Sequence, residues 1–281
     1  MNSKSIYHAT AGWVRSWHKR LALAGVFVFV LGVAIPPAGA TASSDWPYSA
    51  GTTGYDVSYP QCTSSTSYSG GFAIVGIGGG RPFKANGCVT KEWSAAIAAN
   101  ATSISIYINT GYSGAYSRDI TSACSANVPQ TYTSGSKLAQ AWEIGCSEAD
   151  FAFKTALADG VNPNAPGSKY PSIGGGMWWA DIETGNSWST NTSLNQATIQ
   201  GVVSELTSPV NTSYSSEAGL PVGIYSNSTF WNKITGKSSW TPTGSSADWI
   251  AGSSCNATFD GNPAYVAQYG TTNVGDADTA C

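Results

Sequence analysis

The sequence predicts one α/β domain, an irregular TIM-like (β/α) barrel with mostly parallel strands, on three observations. Eight short stretches have the composition of strands, and helical patterns separate most of them. The chain left after an N-terminal leader, 241 of 281 residues, has the size of one such barrel. Six cysteines, an even number, are spread along that part as staples.

Removing the leader changes the available chemistry. Lys4, Arg15, His18, Lys19 and Arg20 form a basic stretch before an unbroken apolar run, Leu21 to Ile35. Pro36 to Ala42 then supplies small residues, with cleavage expected after Ala40 or Ala42. An apolar run of 15 residues is short for a membrane span, which needs about 20. Residues 1–40 are therefore read as a secretion signal. The mature protein is expected outside the cell, with no stable membrane anchor. Residues 41–53 read as a flexible lead-in and 54–281 as the barrel domain.

Both histidines, His8 and His18, leave with the signal. A mature chain without histidine excludes Ser-His-Asp and Cys-His catalysis and histidine-ligated zinc. Acid–base work then falls to carboxylates, tyrosines or lysines. Four basic residues leave too, so nine face 16 acidic ones, a formal net charge of −7. No Lys/Arg cluster remains, which argues against nucleic acid as a partner. The expected disulfides are sequential, Cys62–Cys88, Cys124–Cys146 and Cys255–Cys281, because each closes a local loop. Each would stabilise the fold by about 3–4 kcal/mol in the loop-entropy picture.

The elements follow in order. Gly54 to Tyr59 is a short strand stopped by Pro60. Phe72 to Ile77 is a continuous apolar run, as in a strand buried on both faces. Gly78-Gly79-Gly80-Arg81 after it lacks the third glycine of a phosphate loop and reads as a turn. A helix over Lys91 to Asn100 carries Trp93, Ala96 and Ile97 at helical spacing. Ser103 to Asn109 is a strand with Ile104, Ile106 and Ile108 on one face, and Ser103, Ser105, Tyr107 and Asn109 on the other. Residues 110–146 read as a long polar insertion shaping one wall of a cleft. A helix from Ser147 follows, capped by Gly160.

Met177-Trp178-Trp179-Ala180-Asp181-Ile182-Glu183 is the strand around which the rest is organised. Alternation puts Trp179, Asp181 and Glu183 on one face, and Trp178, Ala180 and Ile182 on the other. A face with two carboxylates belongs to a cleft rather than a core. Ser193 and Gln196 read as a capping box for a helix whose stripe is Ile199, Val202, Val203 and Leu206, ended by Pro209. Leu220 to Ser226 is a strand, and a short helix through Phe230, Trp231 and Ile234 comes next. Asp248–Ala251, Ala264–Tyr269 and Val274–Asp278 are the last strands, with connections too short for full helices.

Parallel strands deliver their C-terminal ends to one face of a barrel. Asp56, Asp181, Glu183, and Asp276 or Asp278 would meet there, and paired carboxylates with aromatic walls suit glycoside hydrolysis. The same stretches resemble glycoside hydrolase family 25, the lysozyme-type muramidases. The resemblance is carried by Gly54-Tyr55-Asp56-Val57-Ser58-Tyr59-Pro60-Gln61, Ala180-Asp181-Ile182-Glu183, Val222-Gly223-Ile224-Tyr225-Ser226, Val266-Ala267-Gln268-Tyr269 and Gly275-Asp276-Ala277-Asp278, in that order. It implies Glu183 as proton donor, Asp181 as the group that stabilises the reacting sugar or orients its N-acetyl group, and Asp56 and Asp278 as acids lining the same site. Trp179, Tyr107, Tyr225, Gln268, Tyr269 and Asp276 would bind substrate. It implies cleavage of the β-1,4 bond between N-acetylmuramic acid and N-acetylglucosamine in peptidoglycan, or action on a related amino-sugar polysaccharide, by a monomer without metal or cofactor. The sequence departs from the family at Gly78–Arg81, at Tyr107-Ile108-Asn109 and at its last residues, all placed on the cleft walls. The competing readings are a glycan-binding barrel that no longer cuts, a carboxyl peptidase, for which paired Asp-Thr-Gly segments are lacking, and a calcium loop at Asp276-x-Asp278, which lacks the length.

Overall fold

The computed structural model describes residues 47–62, 70–162, 176–217, 220–237, 239–272 and 275–281. The chain divides into two units, Met1–Ser43 and Ser44–Cys281, and the described residues all belong to the second. The leader with its cleavage site, and Val274, lie outside them. Among the described residues, no helix is long and apolar enough to cross a membrane.

Eight strands close into a barrel in sequence order: β1 (Thr53–Val57), β2 (Phe72–Gly76), β3 (Ser103–Asn109), β4 (Trp178–Asp181), β5 (Val222–Ser226), β6 (Ser245–Ala251), β7 (Ala264–Thr271) and β8 (Asp276–Ala280). Neighbours from β1 to β7 pair in parallel. β8 is antiparallel to both β7 and β1. That corrects the expectation that every strand brings its C-terminal end to the mouth: β8 arrives with its N-terminal end. The short 272–275 connection explains it, because antiparallel strands can be joined by a tight turn whereas parallel ones need a crossover of a dozen residues or more.

Alternation sorts the side chains into two layers. Facing outward, Tyr55, Val57, Ile104, Ile106, Ile108, Trp178, Ala180, Ile182 and Ile224 pack beneath the helices in the main core. Inside the barrel, Phe72, Ile74, Met177, Trp179, Trp249 and Val266 form a second apolar cluster. Tyr48, from the stretch read as a lead-in, is buried in that plug. Its hydroxyl accepts from Trp179 Nε1 at 3.1 Å and is hydrogen-bonded to Ser105 Oγ. Gly223, paired across the sheet with Trp179, makes room for the indole: a Cβ there would lie 2.1 Å from its ring.

The helices are α1 (Val89–Ala98), α2 (Ser122–Ala126), α3 (Lys137–Asp159), α4 (Thr192–Thr207) and α5 (Ser228–Thr235). α3 starts ten residues before the expected Ser147, so the supposed insertion is helical over about its last quarter. Ser136 is its N-cap, accepting from Ala139 N, and Gly160 in the left-handed region ends it. α4 is capped by Asn191 rather than Ser193, and Gln196 donates instead to Thr235 O at 2.7 Å. The stripe Ile199, Val202, Val203 and Leu206 is fully buried, as its spacing requires. α3 and α4 touch backbone to backbone, since a Cβ on Gly145 would meet Thr198 O at 1.9 Å and one on Gly201 would meet Trp142 O at 2.2 Å. The three disulfides are the sequential ones. They tie the β1–β2 loop to the start of α1, α2 to α3, and the β6–β7 loop to the C-terminus.

Candidate active site

The strands bring one set of inward side chains to a common mouth. Asp56 comes from β1, Tyr107 and Asn109 from β3, Asp181 from β4, Tyr225 from β5, Trp249 from β6, Gln268 from β7 and Asp276 from the first residue of β8. Glu183 stands two residues beyond the end of β4. Together with Ser58, Tyr59 and Gly80 they line a cavity of ≈ 230 Å³.

Hydrogen bonds fix the polar wall. Tyr225 Oη donates to Gln268 Oε1 at 2.8 Å, which orients the amide so that Nε2 donates to Asp56 Oδ2 at 2.9 Å and reaches Asp276 Oδ2 at 3.5 Å. Asn109, the register partner of Asp181, donates to its Oδ2 at 2.7 Å. Asp181 Oδ1 is buried with no hydrogen-bond partner among the described residues. The backbone around Glu183 is held from both sides. Ser226 Oγ donates to Ile182 O at 2.8 Å, and Trp188 Nε1 donates to Glu183 O at 2.8 Å. Gly185 leaves the carboxyl room, since a Cβ there would sit 3.2 Å from Glu183 Oε1.

Burial disfavours the charged form of these acids, and like charge between neighbours adds to it. Burial pushes Glu183 above the ordinary carboxyl range. Burial, and then the charge of Glu183, push Asp181 far above it, with Asn109 and Asn186 pulling back. Asp56 is raised to about 7 by burial, against the donation from Gln268. Asp278 is raised well above its usual range by burial and then by the neighbouring Asp56.

Three expected site residues fall elsewhere. Trp179 is fully buried in the interior plug and does not line the cavity. Asp278 is fully buried beneath the mouth, accepting from Trp249 Nε1 at 2.9 Å, so that Asp276 is the closing-strand acid that faces the cavity. Tyr269 is 51% exposed and lies in the β7 bulge between Gln268 and Gly270, away from the lining. Gly80 and Asn109 belong to stretches expected on the cleft walls, and both line the cavity. Three further lining residues were not expected, Ser58, Tyr59 and Trp249. Alternation offered a signal for one of them, since Ser58 shares a face with Asp56. Tyr59 is 47% exposed and stands against Gly80, where a Cβ would meet its ring at 2.5 Å. Lys84 Nζ lies 5.8 Å from the centre of the Tyr59 ring.

No family model matches the chain, and no curated protein matches it in sequence. Solved structures do. A muramidase from Trichobolus zukalii is 16% identical with a TM-score of 0.48, covering 82% of this chain and 93% of that one. A bacterial lysozyme from Streptomyces coelicolor is 17% identical with a TM-score of 0.45, covering 83% and 93%. A glycosyl hydrolase 25 of Streptococcus pneumoniae described as a virulence factor is 11% identical with a TM-score of 0.44, covering 82% and 86%. These are likenesses in the course of the backbone; the chemistry is a matter of the side chains.

Those side chains form a cluster of carboxyls that can give and take protons, set among phenols, an indole and two amides. Among the described residues, the one grouping with metal-ligand spacing is Cys124, Cys146 and Glu205, and both its sulfurs are spent in a disulfide.

Proposed function

We propose that the protein is a secreted glycoside hydrolase that cleaves β-1,4 bonds of peptidoglycan, or of a related amino-sugar polymer, by carboxylate acid–base chemistry. The observation that carries this reading is the pairing at the end of β4. Glu183, partly buried and raised above the ordinary carboxyl range, stands beside Asp181, whose Oδ2 accepts from Asn109 at 2.7 Å. The protonated Glu183 gives its proton to the glycosidic oxygen as the bond to the anomeric carbon breaks. Like charge keeps Glu183 and Asp181 from ionising together, so the pair works with one proton. With that proton on Glu183, the ionised Asp181 stabilises the positive charge that develops on the sugar, and its Oδ1 suits an acetamide N–H. Water then adds to the anomeric carbon, and its proton returns to Glu183. General acid catalysis of this kind is worth about 10²–10⁴-fold. Asp56 and Asp276, linked through Gln268, keep the opposite wall polar. Tyr59, Tyr107 and Tyr225 offer aromatic surface to sugar rings. The three disulfides suit an oxidising compartment, in line with the leader read at residues 1–40.

The test is reducing-sugar release from purified peptidoglycan and from chitin oligomers, with Glu183→Gln alongside. The reading expects release by the parent and silence in the variant. A folded, fully oxidised parent that releases nothing from either would favour a barrel that holds glycan without cutting it. A fully active variant would remove Glu183 from the donor role.

A further inference from the structure

We propose that a second cavity, on the flank of the barrel, binds a neutral pyranose unit of the same polymer, so that substrate is gripped at two places. This rests on the reading of the protein as a glycan-handling barrel. The cavity measures ≈ 420 Å³ and is walled by one stripe of α3, by Asp119 and residues 121–123, by Phe83 and by Asn211 and Tyr214. The α3 stripe is Ser147, Asp150, Phe151 and Lys154, spaced as one face of a helix. Ser147 is already engaged, accepting from Thr121 N at 3.0 Å. α3 buries its apolar residues, Ala149, Ala152, Phe153 and Ala156 among them, on another face, and this stripe brings a carboxyl, an aromatic ring and an ammonium to the cavity wall.

The chemistry selects a sugar. Asp150 is only 5% exposed, and its Oδ1 has no hydrogen-bond partner among the described residues. A buried carboxyl oxygen without a donor costs free energy that a ligand hydroxyl would recover. Phe83, Phe151 and Tyr214 supply rings for the C–H face of a pyranose. Charge is balanced: Lys154 offsets Asp150, and Asp119 pairs with Arg118 at 3.5 Å, so a neutral ring fits better than an ion. Phe83 adds an independent sign. It is a bulky residue held at φ 56°, a conformation such residues adopt only at a cost, and its ring lies 6.1 Å from Phe151 and 5.5 Å from Tyr116.

The two cavities share a loop. Gly80 lines the mouth and Phe83 lines the flank, and three residues of chain span at most about 11 Å. A short oligosaccharide emerging from the mouth over this loop reaches the second cavity.

The test is equilibrium binding of an N-acetylglucosamine hexamer to the Glu183→Gln protein, which binds without turnover, and to the same protein carrying Phe83→Gly or Asp150→Asn. Glycine accepts the backbone conformation at position 83 and removes only the ring. The proposal expects each added change to weaken binding about three- to ten-fold, with near-UV circular dichroism and melting temperature kept. Unchanged hexamer affinity in both folded variants would overturn it, as would failure of the Glu183→Gln protein to bind the hexamer. Absence of turnover in the parent bears on the hydrolase reading alone, because the binding comparison does not use it.

Discussion

Met177 and Trp179 lie in an apolar plug with Tyr48, Phe72 and Val266, whereas Asp181 and Glu183, further along the same face of the chain, lie at the cavity. Burial does not separate the two regions: Asp181 is nearly as enclosed as Trp179. Partners do. In the plug, the indole N–H finds Tyr48, and Gly223 gives the ring its space. At the mouth, Asn109 satisfies one oxygen of Asp181 and leaves the other open. One alternating strand can therefore carry a core and an active site in sequence, with the boundary set by what the neighbouring strands present.

The largest effect should come from Glu183→Gln, on activity alone. Turnover should fall by about 10²–10⁴-fold, while stability to urea changes by no more than about 0.5 kcal/mol. Activity within a few-fold of the parent would break the contrast at its mouth end. Trp179→Ala should act the other way, through the fold, costing about 3–5 kcal/mol in denaturant melts. A loss of substrate affinity at full stability would place Trp179 in the site after all.

A third effect follows from the protons. Asp56 is raised from 3.8 to about 7 in the folded chain, so between those values the native state holds a proton that the unfolded state has lost. Stability contributed by that proton is full below about pH 4 and is lost as pH rises to about 7. Asp181 and Asp278 shift in the same direction. Stability should be greater at pH 5 than at pH 8 by on the order of a few kcal/mol, with a higher melting temperature at pH 5, and Asp56→Asn should flatten part of that slope. A melting temperature that climbs from pH 5 to pH 8 would contradict the buried-acid picture. The smallest effect is expected at the rim. Tyr59→Ala should raise KM about two- to ten-fold with kcat and stability nearly unchanged, as for an exposed ring that stacks on substrate.

Much of the barrel was legible in the sequence. Each strand announces itself by an apolar run or by alternation, as SISIYIN and MWWADIE do. The six cysteines, each near a partner in sequence, pair locally. What escaped depends on long-range geometry. The direction of β8 is set by its partners on both sides, and nothing within Asp276–Ala280 states it; the short turn before it was the available clue. That reversal also decides between Asp276 and Asp278, because it puts the first residue of the strand at the rim. The early half of α3 was hidden by small residues, Ala139, Ala141 and Gly145, which give a weak apolar stripe but permit the close crossing with α4. Tyr48 was masked by the polar residues around it. Trp179 reads as a site residue because it shares a face with two acids, and that face is core below and cleft above.

Glu183 must hold a proton at the mouth for the proposed chemistry to run. Its carboxyl carbon can be followed by ¹³C NMR through a pH titration of the folded protein, with Glu183→Gln identifying the signal. The prediction is a midpoint above the ordinary glutamate value of about 4.3. A midpoint at or below that value would mean a solvated, ionised carboxylate, and would contradict its role as the proton donor.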